Sequence, residues 1–139
     1  MKAGFAAMKA LLVPLIIVGL CLVGTVTQAH HSFAATYLPD QTVTIRGEVL
    51  DIVFRNPHSF VRLLVHDDRG ESVRYAVEWV GAAQLGGDGI KEGALRPGDF
   101  VIVTGNPGRN PADHILRMNS LLRPKDGFTW NAHAGELVN

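Results

Sequence analysis

Two histidines stand together at His30-His31-Ser32, directly after a stretch that reads as a bacterial export signal. Lys2 and Lys9 give that stretch a positive start, residues 11–24 are apolar, and Thr27-Gln28-Ala29 has the small-x-small character of a cleavage site. Cleavage after Ala29 would make His30 the first residue of the exported chain. Its α-amine and imidazole, with ordinary pKa values of about 7.7–8.0 and about 6.5, both yield a proton to a metal at neutral pH. They close a chelate ring that needs no fold to position it, and His31 adds a second imidazole. Imidazole-rich donor sets suit copper, nickel and zinc, and Cu(II) binds tightest of these. Cleavage one residue earlier gives Ala29-His30-His31, where an amine, two backbone amides and a third-position imidazole make a square-planar Cu(II) or Ni(II) site. Both cuts allow copper, by different geometries; the competing reading is a flexible, unoccupied terminus.

The next candidate is His58, in Asn56-Pro57-His58. Pro57 fixes its own φ and stiffens the turn, and Asn56 is expected to hydrogen-bond its own backbone. An imidazole on a stiff turn is a third metal ligand if the segment carrying His30 and His31 folds back; its structural alternative is to cap the turn. Glu78, beside Trp79, and His114 are weaker candidates for the same role. Alternation along its strand turns Glu78 away from the apolar side, so a solvated carboxylate is the default. His66 beside an acidic turn and His133 near the end read as surface residues. There is no His-Glu-x-x-His, phosphate loop, Gly-x-Ser-x-Gly or dinucleotide fingerprint. No catalytic residue or organic cofactor is therefore expected, and an enzyme is the weakest of the readings.

The elements that must position these side chains are β-strands. Residues 42–49 alternate polar and apolar, with Val43, Ile45 and Val49 on one face. Beyond Val49 the phase changes to Leu50, Ile52 and Phe54, which predicts a bulge or sharp bend. Residues 59–66 form a second run with Val61, Leu63 and Val65 together. Asp67-Asp68-Arg69-Gly70 is a hairpin turn, and residues 72–80 are a third strand carrying Val73, Tyr75, Val77 and Trp79. Residues 81–93 hold a short helix. Leu95-Arg96-Pro97-Gly98-Asp99 is a tight turn into a fourth strand at 100–105, residues 106–113 are a mobile loop, and 114–122 are a fifth strand. Five strands with a helical insert between the third and fourth predict an all-β fold. Its form is a small Greek-key barrel of the oligonucleotide/oligosaccharide-binding (OB) type, with an open meander or sandwich as the alternative. The expected organisation is a signal helix at 1–29, an arm at 30–41, the barrel at 42–123 and an irregular tail at 124–139. In that tail Phe128 and Trp130 are the anchors.

Composition narrows the function classes. The chain has 139 residues and one cysteine, Cys21, which lies in the apolar leader. Without residues 1–29 no thiol remains, which excludes thiol catalysis, Cys-ligated zinc and iron–sulfur clusters. Loss of Lys2 and Lys9 from the 13 basic residues leaves 11 against 13 acidic ones, a net charge of −2. That is no footprint for nucleic acid. Leu20 before Cys21 is a poor lipobox, and the leader's apolar run is short of the ~20 residues of a membrane span. No stable membrane anchor is expected after cleavage, and the location is periplasmic or secreted.

The residues His30-His31-Ser32-Phe33, Tyr37 and Asp40, Gly47-Glu48-Val49, Asn56-Pro57-His58, Tyr75-Ala76-Val77-Glu78-Trp79, Leu95-Arg96-Pro97-Gly98-Asp99 and Val103-Thr104-Gly105 together resemble one family of small exported bacterial proteins, domain of unknown function family 6152. The resemblance runs from the start of the exported chain to about Leu122. It implies export and a single β domain, and no activity. Two functional expectations follow from the residues. One is a periplasmic protein binding a transition metal, copper favoured, through His30, His31 and His58. The other is a non-catalytic barrel whose face, with Arg62, Arg74 and Glu78, binds a partner protein or saccharide.

Overall fold

The computed structural model describes residues 33–133; the expected signal segment, His30 and His31 lie outside them. Six strands follow in order: β1 (Val43–Val53), β2 (His58–His66), β3 (Ser72–Val80), β4 (Phe100–Pro107), β5 (Ile115–Arg123) and β6 (Phe128–Asn131). A short helix, α1 (Ala82–Gly87), lies between β3 and β4. The sheet order is β3-β2-β1-β4-β5-β6, and a parallel β3–β5 pairing closes the first five strands into a barrel with β6 outside. This is the expected all-β, five-stranded barrel with its helical insert.

The bulge expected after Val49 is present. Val49 pairs with Leu63 and Asp51 with Arg62, so Leu50 is the extra residue on β1. The bend lets one strand serve two neighbours: its first half pairs with β4 and its second with β2. The inward residues of all five strands, among them Val49, Val61, Leu63, Val77, Val101 and Met118, form one core. The turn before β4 docks on the bulge, with Gly98 N–H donating to the Val49 carbonyl and Val49 N–H to the Asp99 carbonyl, both at 2.8 Å. Asp99 is buried there. Burial alone raises its pKa, but hydrogen bonds from Lys125, Arg123 and the Arg96 amide outweigh it and hold the carboxyl at about 2.

The tail departs from expectation. In place of an irregular segment, residues 128–131 pair antiparallel with β5, and Trp130, 4% exposed, belongs to the core. Its ring meets Trp79 edge-on at 5.6 Å and 78°, and its indole N–H donates to Asp88. Residues 106–113 also differ from the mobile loop expected. Asn106 and Pro107 extend β4, and Pro111–Asp113 is a 3-10 turn capped by the Asn110 side chain, which accepts from the Ala112 amide. No helix among the described residues is long and apolar enough to cross a membrane.

Candidate functional site

The turn carrying His58 is fastened to α1. Asn56 does not bond its own backbone as expected; its Oδ1 accepts from the Ala83 amide at 3.0 Å, 27 residues away. The Arg55 carbonyl accepts from the Ala82 amide. Gly81 is required at this junction, since a Cβ there would overlap the Pro57 carbonyl and the Asn56 side chain. The result is that His58, instead of sitting within the turn, opens β2 opposite Val80.

Register then sets its neighbours. Phe60 pairs with Glu78, so His58 and Glu78 are diagonal neighbours on the outer barrel face. Across the parallel seam Glu78 pairs with Arg117 of β5. Gly105 lets β4 approach this point: a Cβ there would overlap the Arg117 carbonyl. Glu78 thus faces outward as its alternation predicts, but its side chain is only 18% exposed. A solvated carboxylate is not what the fold produces, because the arm covers it.

The arm is built into the domain. Residues 33–36 form a helical turn, the Tyr37 amide donates to the Phe33 carbonyl at 2.8 Å, and the two rings lie 5.5 Å apart. Tyr37 bridges to Gly108, and the Leu38 amide donates to the Pro107 carbonyl. The buried Asn106 side chain faces the carbonyls of Leu38, Pro39 and Gln41 through its amide nitrogen, the shortest at 2.7 Å. These contacts bring the Tyr37 hydroxyl to Glu78, where it donates to Oε2 at 2.6 Å. Burial first, and then the adjacent carboxylate, push the phenol well above its ordinary pKa, so it remains a donor.

The other carboxylate oxygen is shared. His58 Nδ1 approaches Glu78 Oε1 to 3.1 Å and Arg117 Nη1 approaches it to 3.6 Å. Neither contact has hydrogen-bond geometry, and both nitrogens are buried. Both are close electrostatic approaches with Glu78 at the centre of the cluster, and the one to His58 is an ion pair only when that ring is protonated. The His58 side chain is 44% exposed, and since Nδ1 is buried, the exposed ring edge is the one carrying Nε2. A histidine that offers Nε2 to a metal donates its other ring N–H to a carboxylate or carbonyl; here Nδ1 lies 3.1 Å from Glu78 Oε1 without that geometry. Among the described residues no three His, Cys, Asp or Glu come together as a metal site, so this pair needs further donors.

His114 is not one of them. It stands at the barrel mouth with its ring 5.3 Å from Tyr75. Tyr75 and Glu78 are three residues apart and therefore on opposite faces of β3. His66 Nδ1 meets Ser72 Oγ at the hairpin, and His133 Nε2 lies 3.8 Å from Asp88. On the outer face Arg62 is paired with Asp51 at 3.0 Å. Tyr37 and Arg117 are the residues of the cluster that spacing alone did not mark. A charged residue in mid-strand between Leu116 and Met118 reads as outward and solvated, yet Arg117 is buried in the folded chain.

The family model for a family of unknown function matches residues 18–117, which takes in the arm, all of β1 to β4 and the first part of β5 up to Arg117. No curated protein sequence matches the chain. With nearly three-quarters of its length under that match, and with the Tyr37, His58, Glu78 and Arg117 cluster inside it, the chain belongs to the family of unknown function DUF6152.

Proposed function

We propose that this is an exported, periplasmic copper-binding protein in which His30 and His31 are joined by His58. The observation that carries the reading is the Tyr37–Glu78 hydrogen bond, which fastens the arm beside His58. One residue separates His31 from the buried Phe33. At ~3.3–3.6 Å per residue the covalent chain allows His31 no more than about 7 Å from it. In this reading Glu78 is not a ligand; it orients His58 so that Nε2 takes the metal. The His30 amine and imidazole chelate, and His31 and Nε2 of His58 complete a nitrogen-rich set suited to Cu(II).

Intact mass of the exported protein fixes which residue carries the free amine. A competition titration with Cu(II) then compares that protein, its His58→Ala variant and a free peptide of residues 30–36. The reading expects one copper per chain, bound at least tenfold more tightly than by the peptide, with most of that advantage lost in His58→Ala. Affinity equal to the peptide's and indifferent to His58 would remove it.

A further inference from the structure

A cavity of about 310 Å³ opens at one mouth of the barrel, between the arm, the start of β1 and the 3-10 turn. Its walls are Val43, Ile45, Pro107, Pro111 and Ile115, and its polar groups include Tyr75 and His114. None of the side chains lining it is Asp, Glu, Lys or Arg. A second cavity of similar size, about 340 Å³, is lined by Asp51, Lys91, Glu92 and Arg96 among its apolar residues.

His114 is held there against its backbone preference. It adopts the left-handed conformation, φ 48° and ψ 47°, which glycine takes without cost. It is fixed because its amide donates to the Pro111 carbonyl and its carbonyl accepts from the Ala76 amide. The constraint sets the imidazole against the Tyr75 ring, and Nδ1 is buried without a hydrogen-bond partner. A strained residue that keeps an imidazole at a cavity wall, where glycine would fit the backbone better, points to use of the side chain.

We propose that this mouth binds a small, uncharged aromatic molecule carrying one hydrogen-bonding group. The absence of charged lining disfavours an ion, which would lose its hydration with nothing to replace it. The volume lies at the low end of the range for small-ligand sites, ~300–1,000 Å³, enough for one fused bicyclic ring. Two adjacent rings, tilted at 56° to each other, and two prolines suit a flat aromatic ligand, and the Tyr75 hydroxyl and His114 imidazole supply the polar contact. This site is independent of the copper reading.

The test is a titration of the ¹⁵N-labelled exported protein with 2-naphthol, followed by amide shifts. The expected result is saturable shifts at Val43, Ile45, Tyr75, His114 and Ile115. Binding should be at least tenfold weaker for 2-naphthoate at neutral pH, several-fold weaker in Tyr75→Phe, and lost in Val43→Trp, which blocks the mouth from its exposed rim. Absence of saturable shifts at millimolar 2-naphthol, shifts confined to 52–54 and 90–97, equal binding of the carboxylate, or unchanged binding in Val43→Trp would each overturn the proposal.

Discussion

Replacing Tyr37 with Phe deletes one hydroxyl from the arm and leaves its ring against Phe33. The bond removed is a 2.6 Å contact from a phenol to a carboxylate. Hydrogen bonds to charged groups are worth about 1.5–3 kcal/mol. Because Glu78 keeps 18% of its side-chain exposure, water replaces part of the lost bond, which places the cost near the lower end, about 1.5–2 kcal/mol. For a domain of this size the urea dependence is of order 1 kcal/mol per molar, so the unfolding midpoint should fall by roughly 1.5–2 M with its slope unchanged. If the arm opens before the barrel does, the same loss appears as faster exchange of the Tyr37 and Leu38 amides. A double-mutant cycle with Glu78→Gln should show coupling of about 1 kcal/mol. A midpoint within about 0.3 M of the parent protein, together with unchanged exchange of those amides, would refute the view that this bond fastens the arm.

Two further outcomes follow from the fold. The Asp99 carboxyl sits at about 2 in the folded protein, below its ordinary 3.8, so the folded state is the weaker proton acceptor. The stability this lends is complete above about pH 4 and is lost as pH falls through about 2. Allowing for screening of the largely exposed Lys125, it amounts to about 1–2 kcal/mol, and Lys125→Met should flatten that part of the pH–stability curve measured by thermal unfolding. Trp130→Ala should cost about 3–5 kcal/mol in chemical denaturation, whereas Phe100→Ala, at a position 52% exposed, should cost well under about 1 kcal/mol.

The barrel was legible because alternation is a local property. The phase change past Val49 marks the place of the bulge, and the inward sets around Val61 and Val77 name the core. What alternation does not carry is which outer face acquires a cover. Glu78 and Arg117 look like solvated residues in their own strands; Arg117 is buried and Glu78 largely covered because the β3–β5 seam places them side by side and Tyr37 of the arm bonds Glu78. That cover depends on Asn106, read as part of a loose loop, whose side chain faces three arm carbonyls across more than sixty residues. The tail escaped for a related reason. Phe128-Thr129-Trp130-Asn131 is too short for a period to show, and its place on β5 is decided by Trp130 finding Trp79. Asn56 illustrates the limit of turn chemistry: its side chain satisfies a helix amide that only the folded chain brings near.

The central claim is that the arm presents its histidines to His58. Pulsed electron paramagnetic resonance of the exported protein with one equivalent of Cu(II) counts the imidazoles bound to the metal and tests that claim most directly. The account predicts one more equatorial imidazole in the parent protein than in His58→Ala, with Glu78→Gln keeping that imidazole while weakening copper about 10–100-fold. The same imidazole count in the parent protein and in His58→Ala would contradict it.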